Sequence, residues 1–371
     1  MFSFSKLDRI LVVAPHPDDE SLGTGGLLQR IFAQSVPVRI LFATNGENNP
    51  WAQRYWDRLW RIGPDERSRW GRRRRGEALA ALAALGGSAD HAKFINLPDL
   101  GATALLMEHA PELSLLMVDE IQDWQPTVAL IPAKFDAHPD HSALSVAFSV
   151  ALDSIRDSSM RVWEYLVHPP RLPIAQTPVE LLLSAEEVER KRRAILCHKT
   201  QVALSRARFI RFAKTEEPYY PSLPAGTNGL DQRLVGAGLH EEILRLQFDV
   251  SRRERFHSEL LLLFRTSNGG CRRWRLPLPW RSGEAKVSNL GAGRALQDAI
   301  VNWRGSRLFV DIPVSNGEEL EMVYAKFCGF KLFFDRSGWS QAAVSVRAEE
   351  GCLSPLKVPG TLSVPGVLFP K

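Results

Sequence analysis

Two hydrophobic rhythms alternate along the first two hundred residues. Continuous apolar runs, "RILVVAP" (Arg9–Pro15), "VPVRILFAT" (Val36–Thr44), "AKFINLP" (Ala92–Pro98), "PTVALIPA" (Pro126–Ala133) and "MRVWEYLV" (Met160–Val167), read as strands. Between them apolar residues recur at helical spacing over Glu20–Ala33, Arg67–Leu85, Glu112–Trp124 and Ser142–Ile155, and again from Ala185 to about Leu204. Gly86-Gly87 supplies a helix stop. Strands that are apolar throughout, joined by amphipathic helices, predict an α/β domain with a Rossmann-like, mostly parallel sheet and helices on both faces.

From about His240 the rhythm shortens. "SELLLLFRT", "CRRWRLPLPW", "RLFVDIPV", "ELEMVYAKF", "KLFFDRSGW" and "AAVSVRA" read as short strands separated by turn residues, Ser315-Asn316-Gly317 among them. They predict a smaller all-β, sandwich-like C-terminal domain. The stretch before them is rich in Pro, Gly and Tyr, as a linker is. The expected division is an α/β domain over 1–220, a linker over 221–239 and a β-rich accessory module over 240–371.

A chain of 371 residues accommodates two such domains. Its net charge of +5 is too modest to indicate a nucleic-acid partner. Four cysteines, at 197, 271, 328 and 352, show neither metal spacing nor a disulfide framework. No run reaches the roughly 18–20 apolar residues of a membrane span, and the N-terminal apolar stretch is a strand rather than a leader. These features predict a cytoplasmic protein and leave peripheral membrane contact open. Basic charge concentrates at Arg67, Arg69 and Arg72 to Arg75. Such a run is either a solvated helix face or a grip for phosphate. Trp51, Trp56, Trp60 and Trp70 suit a sugar-stacking mouth or, in the preferred reading, packing of a long connection.

The chemistry gathers at strand ends, where open α/β sheets place functional groups. His16, Asp18, Asp19 and Glu20 follow the first strand, Thr44 to Glu47 the second, and His138, Asp140 and His141 the fourth. Three adjacent acids repel one another unless a cation sits among them. Two neutral imidazoles and a carboxylate, with positions left for water, suit catalytic Zn²⁺, and Fe²⁺ accepts a similar set. His16 and Asp19 can converge across the turn stiffened by Pro17. Of His138 and His141, one can bind the metal while the other faces the substrate. A carboxylate off the metal can serve as general base toward a water acidified by it. No G-x-S-x-G elbow, P-loop or dinucleotide fingerprint competes with this reading.

At these residues the chain resembles the PIG-L/LmbE-type metal-dependent N-deacetylases, which remove acetyl groups from N-acetylglucosamine-containing substrates. "PHPDDE" and the later "HPDH" carry the likeness, supported by Arg74…Glu77, the "LPD" around Asp99 and "HKTQ" at His198–Gln201, all within the first 220 residues or so. The resemblance implies a zinc-dependent hydrolase with His16, Asp19 and His141 as ligands and Asp18 as general base. It implies that His138 stabilises the tetrahedral intermediate or protonates the leaving amine, with Asp140 orienting it. Arg74 and Asp99 match positions associated with sugar recognition. Read from the residues alone, Arg74 equally suits a surface pair with Glu77, and Asp99 a turn cap. The implied partner is an N-acetylated amino sugar, nucleotide-linked or lipid-linked among the options. A thiol-conjugate amidase and a glycan-binding protein with a silent site are the alternatives. The Trp-rich segment and the β-rich module lie outside the shared motifs.

Overall fold

Strands β1 (Ile10–Ala14), β2 (Val38–Thr44), β3 (Ala92–Leu97), β4 (Val128–Pro132) and β5 (Arg161–Tyr165) are parallel and ordered β3-β2-β1-β4-β5. This computed structural model describes residues 4–155, 159–170, 174, 176–222, 233–240, 242–250, 258–290, 295–314, 320–329 and 338–345. The central strand shows why its sequence is apolar throughout. Ile10, Val12 and Ala14 enter one core cluster while Leu11 and Val13 enter another on the opposite face.

The helices are α1 (Asp19–Ala33), α2 (Pro50–Asp57), α3 (Pro64–Leu85), α4 (Ala102–Glu108), α5 (Ala110–Trp124), α6 (Pro139–Ile155), α7 (Ala185–Cys197), α8 (Lys199–Val202) and α9 (Arg206–Ile210). Residues of α1, α3 and α7 cover the Ile10 face, and residues of α4, α5 and α6 the Leu11 face. The mostly parallel sheet with helices on both faces is therefore present. It also carries two strands beyond the five read from the sequence, β6 (Val179–Leu182) and β7 (Glu216–Pro221). They extend it antiparallel from β5, in the order β5-β7-β6.

Two local readings change. The helix expected from Ala185 to about Leu204 breaks at His198, whose backbone (φ −78°, ψ 59°) leaves the helical region between α7 and α8. Of the four tryptophans, only Trp70 is buried as packing requires; Trp51, Trp56 and Trp60 are exposed.

The C-terminal strands are β8 (Leu234–His240), β9 (Ile243–Asp249), β10 (Glu259–Thr266), β11 (Cys271–Pro277), β12 (Gly283–Asn289), β13 (Ala295–Arg304), β14 (Arg307–Pro313), β15 (Leu320–Cys328) and β16 (Ser340–Ala343). The region is all-β as expected, but it is one nine-stranded sheet rather than two stacked ones. Its ends meet: Leu239 N donates to Ser345 O at 2.9 Å and Ser345 N to Ala237 O at 3.0 Å, so the sheet curls into a near-barrel. Closure removes the edges that an open sheet would leave unpaired. β8 falls within the segment read as a linker. The expected strand "KLFFDRSGW" and the Ser315-Asn316-Gly317 turn lie outside the described residues, apart from Gly338 and Trp339.

The run "LLLLF" in β10 now has a cause. Leu260, Leu262 and Phe264 point into the barrel, while Leu261 and Leu263 point outward. Those outward leucines, with Met322, Tyr324 and Trp339, pack in the same core as α4, α5 and α6. Polar contacts tie the same junction. Arg265 pairs with Asp153, and Trp339 N donates to Lys134 O at 2.8 Å. Lys134 Nζ reaches Gln341 Oε1 at 3.0 Å and Glu164 Oε1 at 3.2 Å.

Candidate metal centre

Three donor atoms from three separate places in the sequence form a small triangle at the carboxyl edge of the parallel sheet. Asp19 Oδ2 lies 3.0 Å from His16 Nδ1 and 3.1 Å from His141 Nε2, and the two nitrogens are 3.3 Å apart. Donors bound tetrahedrally to zinc at about 2.0–2.1 Å stand roughly 3.3–3.4 Å from one another. The triangle comes within about 0.3 Å of that size and offers the two-nitrogen, one-oxygen chemistry that suits such an ion. All three side chains are buried.

Each imidazole is held by its other nitrogen. His141 Nδ1 lies 3.1 Å from Asp136 Oδ2, and His16 Nε2 lies 3.2 Å from both Asp140 Oδ2 and Asp99 Oδ1. A proton on those outer nitrogens leaves Nε2 of His141 and Nδ1 of His16 facing the triangle, the arrangement carboxylate partners impose on metal-bound histidines. Burial acts to lower the affinity of both rings for a second proton, but the surrounding carboxylates outweigh it. His141 is pushed up to about 10 and His16 well above its ordinary range. Burial also opposes ionisation of Asp19, yet His141 and His16 hold it well below the usual carboxylate range. The positive charge this cluster demands can come from protons or from a metal ion, and metal binding displaces the protons.

Asp136 was not singled out from the sequence. Its Oδ2 accepts from His141 and from the backbone N–H groups of Val167 (3.1 Å) and His168 (3.0 Å), and its Oδ1 accepts from His138 N at 2.8 Å. His168, just past β5, was also missed. It shares a possible metal-binding group with Asp19 and His141, and its ring centroid lies 5.0 Å from that of His141. The signals were slight: an acid two residues before the histidine pair, and a lone histidine ahead of two prolines.

The expected role of Asp140 requires correction. Its carboxylate does not reach His138. It accepts from Leu100 N (2.7 Å) and Ala102 N (3.0 Å) and lies against His16. The reason is that α6 starts at Pro139, which turns the Asp140 side chain toward the start of α4. It is the backbone N–H of Asp140 that donates to His138 Nδ1, at 3.2 Å, leaving the proton of a neutral ring on Nε2. Burial, and then the neighbouring charged His16 and His141, keep His138 well below its ordinary range. This ring is neutral at neutral pH.

Arg74 does not pair with Glu77. It is buried, donating to Gly46 O at 2.8 Å and Pro17 O at 3.1 Å, and its Nη2 stands 3.2 Å from Asp18 Oδ1. Glu77 instead accepts from Thr200 N and Oγ1. Gly46 sits at φ +60°, and a Cβ there would collide with the Arg74 guanidinium. Asp18 is pushed up to about 6, chiefly by burial and also by Asp19, with Arg74 opposing. Asp99 is drawn inward between His16 and Asn48 N, which donates to its Oδ2 at 2.7 Å. The break after α7 carries His198 to Glu20, with Nε2 and Oε1 3.0 Å apart, so the "HKTQ" stretch braces the first turn of α1.

No helix among the described residues is long and apolar enough to cross a membrane. Residues 11–152 match the family described as PIG-L: GlcNAc-PI de-N-acetylase. A 1D-myo-inositol 2-acetamido-2-deoxy-alpha-D-glucopyranoside deacetylase of Mycobacterium sp. (strain KMS) is 31% identical over 147 residues, covering 36% of this chain and 46% of that protein. Its counterpart from Nocardia farcinica is 28% identical over 164 residues, covering 42% and 54%. The chain therefore spans about half the length of the curated relatives it matches. Among solved structures, the N,N'-diacetylchitobiose deacetylase of Pyrococcus horikoshii is similar over 58% of this chain and 84% of its own, at 19% identity and a TM-score of 0.44.

Proposed function

We propose, from the match of residues 11–152 to the family described as PIG-L: GlcNAc-PI de-N-acetylase, that the protein is a zinc-dependent hydrolase. Its substrate is an N-acetylglucosamine-type amino sugar or conjugate, from which it releases acetate. The observation that carries this reading is the His16–Asp19–His141 triangle with the carboxylate of Asp18 beside it. These three residues would hold the metal. Asp18 is the general base, His138 the donor to the reacting oxygen, and Arg74 and Asp99 contact the sugar. The catalytic unit is assigned to residues 1–220, with 221–239 as a connection and 240–371 as an accessory module. The reaction belongs in the cytoplasm.

When bound, the zinc ion would polarise the acetyl carbonyl and acidify a water. Asp18 takes the proton of that water as its oxygen attacks the carbonyl carbon. A carboxyl raised to about 6 is ionised at neutral pH yet basic enough to accept that proton. Arg74, anchored on two backbone carbonyls, fixes the orientation of Asp18. His138, neutral and with its proton on Nε2, donates to the oxyanion that develops on the acetyl oxygen. The C–N bond then breaks, the proton held by Asp18 passes to the departing nitrogen, and acetate and a free amine leave.

The test is acetate release by the zinc-loaded protein from a panel of free, nucleotide-linked and lipid-linked N-acetylglucosamine derivatives. Equal yields of acetate and free amine from at least one member are expected. Zinc-loaded protein that releases acetate from none would overturn the reading.

A further inference from the structure

Three tryptophans and a tyrosine stand in water where a folded protein usually hides such rings. Trp51, Tyr55, Trp56 and Trp60 are 59%, 62%, 39% and 87% exposed, all within one stretch of ten residues. Single exposed apolar residues are ordinary, but a contiguous group marks an interaction surface. The local fold explains the exposure. α2 is capped by Asn49, whose side chain accepts from Ala52 N, and it turns Ala52 and Gln53 inward. Gln53 is fixed there by donating to Glu66 O at 2.7 Å. Trp51 and Tyr55, one helical turn apart, are left on the outer side. Arg54 Nε donates to Trp60 O at 3.2 Å, which holds the turn after α2 against the helix.

Arginines interleave with these rings. Among the described residues no carboxylate lies within ion-pair distance of Arg54, Arg58 or Arg61. The acid within the stretch, Asp57, is taken by Arg73 at 2.7 Å. Arg54 instead lies 5.4 Å from the centre of the Trp51 ring, a cation–π contact. Trp and Tyr collect at the boundary between water and hydrocarbon because their rings are apolar and carry a polar edge. Arginines without acid partners are drawn to anionic headgroups. Both properties meet on this short surface.

We infer that α2 and the turn after it form a docking surface for an anionic lipid bilayer. The rings enter the headgroup layer, and Arg54, Arg58 and Arg61 meet its negative charge. Two other occupants fit less well. A second copy, packed face to face, would bring these arginines against their own counterparts. A single nucleic-acid strand is tracked by a groove, whereas Trp60 projects and none of the four rings lines the cavity at the start of α3. The surface adjoins the candidate centre. Asn48, just ahead of α2, donates its N–H to Asp99, and Asn49 Nδ2 donates to Gln201 Oε1 at 3.1 Å. Docking would therefore hold that centre close to the bilayer.

The test is sedimentation of the full chain with vesicles of phosphatidylcholine, alone or mixed with phosphatidylglycerol. It needs no substrate and so stands apart from the deacetylase reading. The parent should bind the anionic vesicles in preference to the neutral ones, and more weakly as salt rises. Arg54→Gln/Arg58→Gln/Arg61→Gln should weaken that binding about 100-fold, and Trp51→Ser/Tyr55→Ser/Trp60→Ser about 10- to 100-fold. Trp280→Ser, which removes an indole 75% exposed in the β-rich region, should bind as the parent does. Melting temperatures show that the variants are folded. A parent that ignores anionic vesicles overturns the inference, as does a ring variant that binds them like the parent, or an equal loss in Trp280→Ser. Tighter binding to a single-stranded oligonucleotide than to vesicles also overturns it. So does self-association that the ring variant abolishes, if the parent binds no vesicles.

Discussion

Replacing Asp136 with asparagine keeps the shape of the side chain and removes its charge, so it isolates what the carboxylate does for His141. Four N–H groups converge on Asp136, three on Oδ2 and one on Oδ1. The amide keeps most of them by placing its oxygen at the Oδ2 position. Its NH₂ then faces the backbone N–H of His138, and that buried donor is orphaned at about 1–3 kcal/mol. The bond to His141 changes from an ion pair to one with a neutral acceptor, a loss of about 1 kcal/mol. The metal-free variant should therefore be destabilised by about 2–4 kcal/mol. Zinc affinity should fall about 10- to 100-fold, because the ring loses the partner that fixes its tautomer and raises its basicity. Denaturant unfolding of the metal-free forms and a chelator-competition titration with zinc give the two numbers separately. If the variant is destabilised as expected but binds zinc within twofold of the parent, Asp136 is a structural bracket only and the reasoning is refuted.

Three further outcomes are expected. His16→Ala, Asp19→Ala and His141→Ala should each lose stoichiometric zinc by elemental analysis, whereas Asp18→Asn should keep it and lose about 10²–10⁴-fold in kcat; zinc loss in Asp18→Asn would contradict the division between ligands and base. Gly46→Ala should displace Arg74 from Asp18 and lower kcat with zinc retained, and unchanged kinetics would show that this contact has no catalytic consequence. Glu187, held at about 2 by Arg30, has a folded-state carboxyl below its ordinary value, so its contribution is present above about pH 4.5 and fades as pH falls toward 2. With Arg30 partly solvated, the parent should exceed Glu187→Gln by about 1 kcal/mol at pH 6 and by clearly less at pH 3, in urea melts; a constant difference would remove the ion pair as its source.

The parallel sheet was readable because its central strands β1, β2 and β4 are buried on both faces almost throughout and so do not alternate apolar with polar residues. The triangle was readable because its members follow β1 and β4 and strand ends share an edge. Asp136 was not, since its importance lies in four N–H groups donated by residues up to 32 positions away, which no local pattern records. The direction of Asp140 depends on where α6 begins, and a shift of that boundary by three residues changes which neighbour its carboxylate meets. The closure of the β region was likewise invisible, because Ala237, Leu239 and Ser345 meet over more than a hundred residues of chain. β10 gave a clue in the other direction: four consecutive leucines in an otherwise alternating region marked the strand that faces two cores.

The junction at Trp339 has a thermodynamic meaning. Its backbone N–H holds Lys134 O, two residues before Asp136, and a Cβ on Gly338 would strike that same carbonyl and Phe135 Cα. The barrel wall and the ligand loop therefore share one equilibrium. Any free energy that a cation contributed by binding the proposed centre would be shared with strands that never approach it, and heating should melt both regions in a single cooperative step. By reciprocity, anything that grips the barrel from outside and tightens this junction also tightens the hold on the ion.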